Sequence, residues 1–348
     1  MPALPSIDVV IPVYNAPELT RRCIDSVFTA LGSSVCHIYI QDDASAAPTR
    51  LMLDRLPYQR IHVHHARKNQ GFGASVNEAV SRSDAAYVLV LNSDTAVAED
   101  FVPTLCAALA ADPQLAVIIP SGNDYARYDF DQYLRRPGGY IQTHRFQGHA
   151  FLARRGVFEE VGGFDPEFGR GYYEDVDLGR RLEQGGWRLG VHPDARIEHK
   201  GGGSFGRGRA FRELVRRNRD LYFSRYPEAR RNILLLSGSC ALTHFPPTLL
   251  DMLESVFQGG GYVHWLTPRP VQLLPCLQMR SNRAGVRAAA GLLLRSWRAD
   301  KRISEVWMLP GVPRLLRASL ITWARLRSVE VLSWEKAGME ATSTPRIL

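Results

Sequence analysis

The sequence predicts an α/β protein: a mainly parallel sheet covered by helices on both faces, followed by a C-terminal helical region. Three observations lead there. Short apolar, β-branched runs alternate with stretches of helical spacing through the first half. These runs end in clusters of Asp, Asn, Ser and Gly, where ligands of parallel sheets bind. After about residue 205 the alternation gives way to arginine-rich segments interrupted by Gly and Pro. The chain of 348 residues is long enough for a full core plus a second region, and its 45% hydrophobic and 22% charged content is ordinary for a folded protein.

Residues 7–13, Ile-Asp-Val-Val-Ile-Pro-Val, form the first strand, and residues 17–31 carry Leu19, Cys23 and Val27 at helical spacing behind Pro17. Residues 35–40 read as the second strand, stopped by Asp42-Asp43-Ala44-Ser45, and residues 61–64 as the third. Residues 73–80 read as a helix and residues 87–91 as an apolar strand ending at Asn92-Ser93-Asp94. Residues 117–119 add a strand that stops at Pro120. A helix opens in the arginine-dense stretch 207–219, and later helical segments are broken at 259–261, 268–270 and 310–313. The organisation expected is a catalytic domain over residues 1–230 and a basic, mostly helical region over 231–348.

The net charge of +8 conceals an asymmetry. Residues 1–200 carry 20 Lys/Arg against 25 Asp/Glu, whereas residues 201–348 carry 23 against 10, so the halves face different partners. Five dispersed cysteines without a CxxC pair suggest reduced thiols in the cytoplasm. The start lacks a basic n-region, so no secretory signal is expected. The uncharged run 232–250 includes Pro246-Pro247 and reads as non-spanning.

Five polar constellations carry the candidate chemistry. Asp94 follows an apolar strand, where a carboxylate can bind Mg2+ or Mn2+ or else cap a turn. Asp42-Asp43 can accept from a nucleobase or a ribose, or make an Asx-turn. Asn69-Gln70-Gly71 can bring backbone amides to a phosphate, and glycine also makes ordinary turns. Glu174-Asp175 stand at a helix start, where the dipole favours carboxylates; they are a general base or an acidic cap paired with Arg180-Arg181. Finally His199 precedes a Gly-rich segment bearing Arg207 and Arg209, which suits a metal ligand beside a diphosphate clamp; a single histidine is also often structural.

Together and in this order, these motifs resemble the family 2 glycosyltransferases of the GT-A fold, in their rhamnosyltransferase and galactofuranosyltransferase-like branch, over roughly residues 6 to 225. The resemblance implies that Pro12, Tyr14 and Asn15 form the first nucleotide-contacting loop and that Asp43 binds the base. It puts Asn69 and Gly71 beside the nucleotide, with Asn92, Ser93, Arg207 and Arg209 also on the donor side. Asp94 and His199 become metal ligands, Gly148, His149 and Trp187 line the acceptor side, and Glu174-Asp175 is the catalytic pair with Asp175 as base. Asn92 departs from the family's Asp-x-Asp pattern and removes one anionic ligand.

The resemblance therefore implies an inverting, metal-dependent hexosyltransferase. The donor is a nucleotide sugar, with dTDP-rhamnose or a UDP-hexose favoured, and the acceptor a hydroxyl of a glycan or lipid-linked molecule in cell-surface polysaccharide synthesis. The cofactor is Mg2+ or Mn2+. Alternatives are a sugar nucleotidyltransferase, which needs a basic Gly-rich signature that Tyr14-Asn15-Ala16-Pro17 lacks, and a non-catalytic glycan- or membrane-binding homologue. A P-loop and a nucleophile elbow are both missing. Residues 313–334 can be drawn as a basic amphipathic helix with Leu316, Leu320, Trp323, Leu326 and Leu332 near one face. That face either rests on the inner surface of the plasma membrane, as in a peripheral protein, or packs on the catalytic domain or another subunit of a homo-oligomer. No nucleic-acid module is present, so no nucleic-acid partner is expected.

Overall fold

The computed structural model describes residues 5–201, 208–269, 271, 273–283, 291, 293–294, 296, 302–334 and 342–344. They form two compact units: Met1–Phe130 with Arg135–Tyr222, and Asp131–Leu134 with Phe223–Leu348.

The first unit is built on β1 (Ile7–Val13), β2 (Ile38–Asp42), β3 (Ile61–His65) and β4 (Tyr87–Leu91), all parallel in the order β3-β2-β1-β4. Every residue of β1 is buried, as expected of a strand covered on both faces. Helices α1 (Pro17–Leu31), α2 (Ala47–Asp54) and α3 (Phe72–Val80) follow the first three strands. Helix α1 buries Cys23, Ile24, Val27 and Leu31, an apolar stripe at helical spacing. The left-handed Asn15 and Ala16 and the N-terminal Pro17 turn the chain from strand into helix.

Beyond β4 the sheet becomes mixed. The short β5 (Thr95–Ala96) leads to α4 (Val102–Ala111), β6 (Leu115–Gly122) and β7 (Ile141–Thr143). Next come β8 (Ala150–Arg154), α5 (Arg155–Glu160), α6 (Glu174–Gln184) and β9 (Arg188–His199). Strand β8 lies antiparallel between β4 and β6, β9 runs parallel to β6, and β5 pairs antiparallel with the end of β9. Helix α7 (Arg209–Arg225) follows.

The second unit departs from the mostly helical expectation. Among the described residues its sheet has six strands: β10 (Asn232–Leu236), β11 (Tyr262–Thr267), β12 (Met279–Arg283), β13 (Glu305–Met308), β14 (Glu330–Ser333) and β15 (Thr342–Thr344). The first five are parallel in the order β12-β11-β10-β13-β14, and β15 closes antiparallel. Helices α8 (Pro247–Gln258) and α9 (Arg314–Leu326) accompany them. The physical reason for the difference is that a short apolar run such as 233–236, buried completely, has no periodicity to distinguish strand from helix. The uncharged run 232–250 is accounted for as β10, a turn and the start of α8. No helix among the described residues is long and apolar enough to cross a membrane.

The amphipathic segment 313–334 is helical only to Leu326. Ser328 then takes a positive φ and β14 begins. Its apolar face is committed to the unit's own core: Leu320 and Ala324 are buried there, with Leu316 and Trp323 packed against them. Leu332 belongs to the strand, and Leu326 is exposed.

Candidate functional site

The carboxyl ends of the parallel strands open into a cavity of about 470 Å3. On one wall, Asp43 follows β2, and its two carboxylate oxygens accept the backbone N–H groups of Gln70 (2.6 Å) and Gly71 (2.8 Å). Burial raises the Asp43 pKa against the pull of those amides. Gly71 is required here: its φ is +94°, and a Cβ would lie 2.4 Å from both the Arg170 Cα and the Gly169 carbonyl oxygen. Asp43 thus fixes the loop that starts α3, and Asn69 donates its side-chain N–H to the Asp43 carbonyl.

On a second wall, β4 ends at Asn92. The β5–β9 pairing sets Thr95 opposite His199, which brings Asp94 within 3.4 Å of His199 Nε2. The other ring nitrogen, Nδ1, meets Asp124 at 2.7 Å, and Asn123 bonds the His199 backbone through both its amide groups. His149 stacks on His199 with ring centroids 4.7 Å apart, and its Nε2 is 3.5 Å from Asp124. The ligand atoms of Asp124, His149 and His199 all lie within 4.8 Å of one another. Burial works against a charged His199, but the hydrogen bonds and charges of Asp124 and Asp94 outweigh it and push its pKa up to about 9. Burial, reinforced by the His199 charge, pushes His149 down to about 4. The His199 hydrogen bond is the main cause that lowers Asp124.

These residues fit a hard divalent cation. Asp94 and His199 Nε2 face each other, Asp124 can hold Nδ1–H so that Nε2 would present its lone pair to a cation that displaces its proton, and among the described residues the buried Asn92 Oδ1 has no hydrogen-bond partner.

The third wall is the start of α6. Asp175 accepts the N–H groups of Gly148 (3.1 Å) and Val176 (2.8 Å). A Cβ on Gly148 would stand 3.1 Å from the Asp175 Cβ, so the missing side chain lets the two backbones close. Burial raises the Asp175 pKa against those amides. Glu174 is 7% exposed, its Oε2 has no partner among the described residues, and burial together with the Asp175 charge pushes it up to about 8.

Of the residues singled out in the sequence, Pro12, Tyr14, Asp43, Asn69, Gly71, Asn92, Ser93, Asp94, Gly148, His149, Glu174, Asp175 and His199 all line this one cavity. Others fall elsewhere. Asn15 does not line it; instead it bonds Ser45 Oγ and the Ala46 N–H, tying the first loop to the second. Trp187 sits in the turn after the far end of α6, where its N–H donates to the Leu182 carbonyl, and is not among the lining residues. Arg209 is exposed and paired with Glu213; Arg207 lies outside the described residues. His149, read as an acceptor-side residue, joins the histidine–carboxylate cluster. Asp124 and Arg145 line the cavity without having been singled out. Asp124 had one signal in the sequence, a polar Asn-Asp at the end of a buried strand.

Comparison with known proteins bears on the fold and on the family that the chain resembles. The pre-mycofactocin glycosyltransferase of Mycobacterium tuberculosis is 27% identical over 212 residues, 57% of this chain and 43% of that protein. The N-acetylglucosaminyl-diphospho-decaprenol L-rhamnosyltransferase of the same organism is 42% identical over 72 residues, 21% of this chain and 22% of the other. The chain thus spans less than half the length of either curated relative. A mannosyltransferase from Pyrobaculum calidifontis, solved with GDP-Man and Mn2+, superposes with a TM-score of 0.50 at 19% identity, covering 64% of each chain, and shares the GT-A fold. Residues 8–162 match the family described as Glycosyl transferase family 2. Over these residues, and in the sheet that presents their polar ends to one cavity, the chain is similar to the family 2 glycosyltransferases.

Proposed function

We propose that this protein is an inverting, divalent-metal-dependent glycosyltransferase that moves a sugar from a nucleoside-diphosphate donor to a hydroxyl of a glycan or lipid-linked acceptor. The observation that carries this reading is the convergence of three element ends, with Asp43–Gly71, Asp94–His199 and Glu174–Asp175, on one cavity of a size suited to a nucleotide sugar. The short match to a rhamnosyltransferase supports a dTDP-rhamnose donor, with a UDP-hexose as the second choice.

In this reading Asp175 takes the proton of the acceptor hydroxyl. Its oxygens are oriented by the Gly148 and Val176 amides, and the burial that raises its pKa favours proton uptake. The acceptor oxygen forms its bond to the anomeric carbon as the bond to the diphosphate breaks, and the electron pair leaves with the nucleoside diphosphate. Glu174 remains protonated near neutral pH, so the adjacent carboxyls do not both carry charge. A divalent cation bound by Asp94 and His199 would neutralise charge on the departing diphosphate. Asp124 holds the His199 ring, and the Asp43-anchored loop offers its glycine backbone to the nucleotide side.

The test is a panel of UDP-, dTDP- and GDP-sugars, with and without Mn2+ or Mg2+, assayed for nucleoside diphosphate release in the presence of glycan acceptors. Asp94→Ala is expected to weaken metal-dependent donor binding about tenfold or more. Metal-independent donor binding at wild-type strength in that variant would remove Asp94 from the metal site.

A further inference from the structure

The turn that delivers Glu174 and Asp175 is strained. Gly169 and Gly171 take φ values of +64° and +138°, and Tyr172 and Tyr173 both sit at +73°. Two successive bulky residues in the left-handed region are strained and persist only where surrounding structure imposes them. At the start of α6, Asp175 accepts the Val176 N–H and the Tyr173 carbonyl accepts the Asp177 N–H, bonds that do not involve the carbonyls of residues 167–172.

The restraint comes from α7. Asn218, fully buried, aims its side-chain NH2 at three carbonyl oxygens of this turn: Phe168 at 2.7 Å, Gly171 at 2.7 Å and Tyr172 at 3.1 Å. Its Oδ1 accepts from the Arg217 guanidinium at 2.9 Å, and the same guanidinium donates to the Glu167 carbonyl at 3.2 and 3.1 Å. One side-chain pair from a separate helix therefore covers the carbonyls of residues 167, 168, 171 and 172. The opposite side of the turn abuts Gly71, where a Cβ would reach the Arg170 Cα. Asparagine suits the task because its NH2 supplies two N–H donors at short reach; an aspartate there would turn an acceptor towards three acceptors.

We propose that Asn218, supported by Arg217, is a positioning residue that holds the strained turn and so sets the placement of the Glu174–Asp175 pair in the cavity. It touches no cavity-lining carboxyl itself and acts through the backbone between residues 167 and 173. The kinetic consequence rests on the glycosyl-transfer reading above; the structural consequence does not.

The experiment pairs hydrogen–deuterium exchange with transfer kinetics on the full chain carrying Asn218→Ala, Asn218→Asp or Arg217→Ala. Amides of residues 169–176 are expected to exchange at least tenfold faster in Asn218→Ala, with β1 and β4 unchanged. The kcat for transfer should drop at least tenfold in both Asn218 variants while the donor Kd stays within about threefold, and Arg217→Ala should shift both readouts in the same direction by less. Arg217→Ala also keeps the test alive should the Asn218 variants fail to fold. Unchanged exchange across 169–176, or faster exchange with wild-type kcat, would overturn the proposal. So would a parallel drop in kcat and donor affinity. If the wild-type protein transfers no sugar, the functional reading fails, and exchange alone decides whether Asn218 holds the turn.

Discussion

Glu174 and Asp175 are neighbours in sequence with unlike surroundings. Asp175 is held by two backbone amides, whereas Glu174 is buried with one oxygen unpartnered among the described residues. Asp175→Asn keeps the shape and removes the proposed base, so transfer should fall by about 10²–10⁴-fold with donor affinity largely retained, as compared by kinetics and by titration of the donor. Glu174 makes a separate statement about stability. An ordinary glutamate ionises near 4.5 and this one near 8, so the folded form holds its proton more tightly. Its contribution is fully present below pH 4.5 and is lost as pH rises through about 8. Glu174→Gln should remove that loss: its melting temperature relative to wild type is expected to rise between pH 5 and pH 9, and a constant difference across that range would refute the burial argument. At this scale much of the site was legible, because Asp43, Gly71, Asp94, Asp175 and His199 each stand at a strand or helix end marked by turn-forming residues. The partnership of Asp124 with His149 was not. It depends on β6 lying beside β9 and on β8 lying beside β4, pairings between segments distant in the chain.

Elements divide in the same way. The parallel strands β1 to β4 announce themselves as short β-branched runs, each closed by polar residues. Strand β8, Ala-Phe-Leu-Ala-Arg, carries no alternation because it is buried on both faces, and its antiparallel direction follows from tertiary packing. Helix α9 shows how an amphipathic pattern leaves its partner open: leucines and a tryptophan on one face suit a membrane or a core alike, and here Leu316, Leu320 and Trp323 go to the core. Leu320→Ala should therefore destabilise the protein by about 2–5 kcal/mol in denaturant unfolding. Leu315→Ala, at a position 85% exposed, should stay within about 0.5 kcal/mol. Equal effects would mean that the helix face has been assigned the wrong way round.

At the scale of the whole molecule, the acidic first half and the basic second half fall largely into the two separate compact units. The first unit lines its cavity with Asp43, Asp94, Asp124, Glu174 and Asp175, while the second builds its own mainly parallel sheet, with Trp265 and Trp307 fully buried. Three element ends that meet only in the folded first unit form the cavity, so the proposed transfer rests on their joint action. The most direct test is nucleoside diphosphate release from dTDP-rhamnose or a UDP-hexose with acceptor, measured for wild type and Asp175→Asn, each with Mn2+ and with chelator. Release should require both the metal and Asp175, with donor still bound by the Asp175→Asn variant. Release at wild-type rate from Asp175→Asn, or release unaffected by chelator, would contradict it.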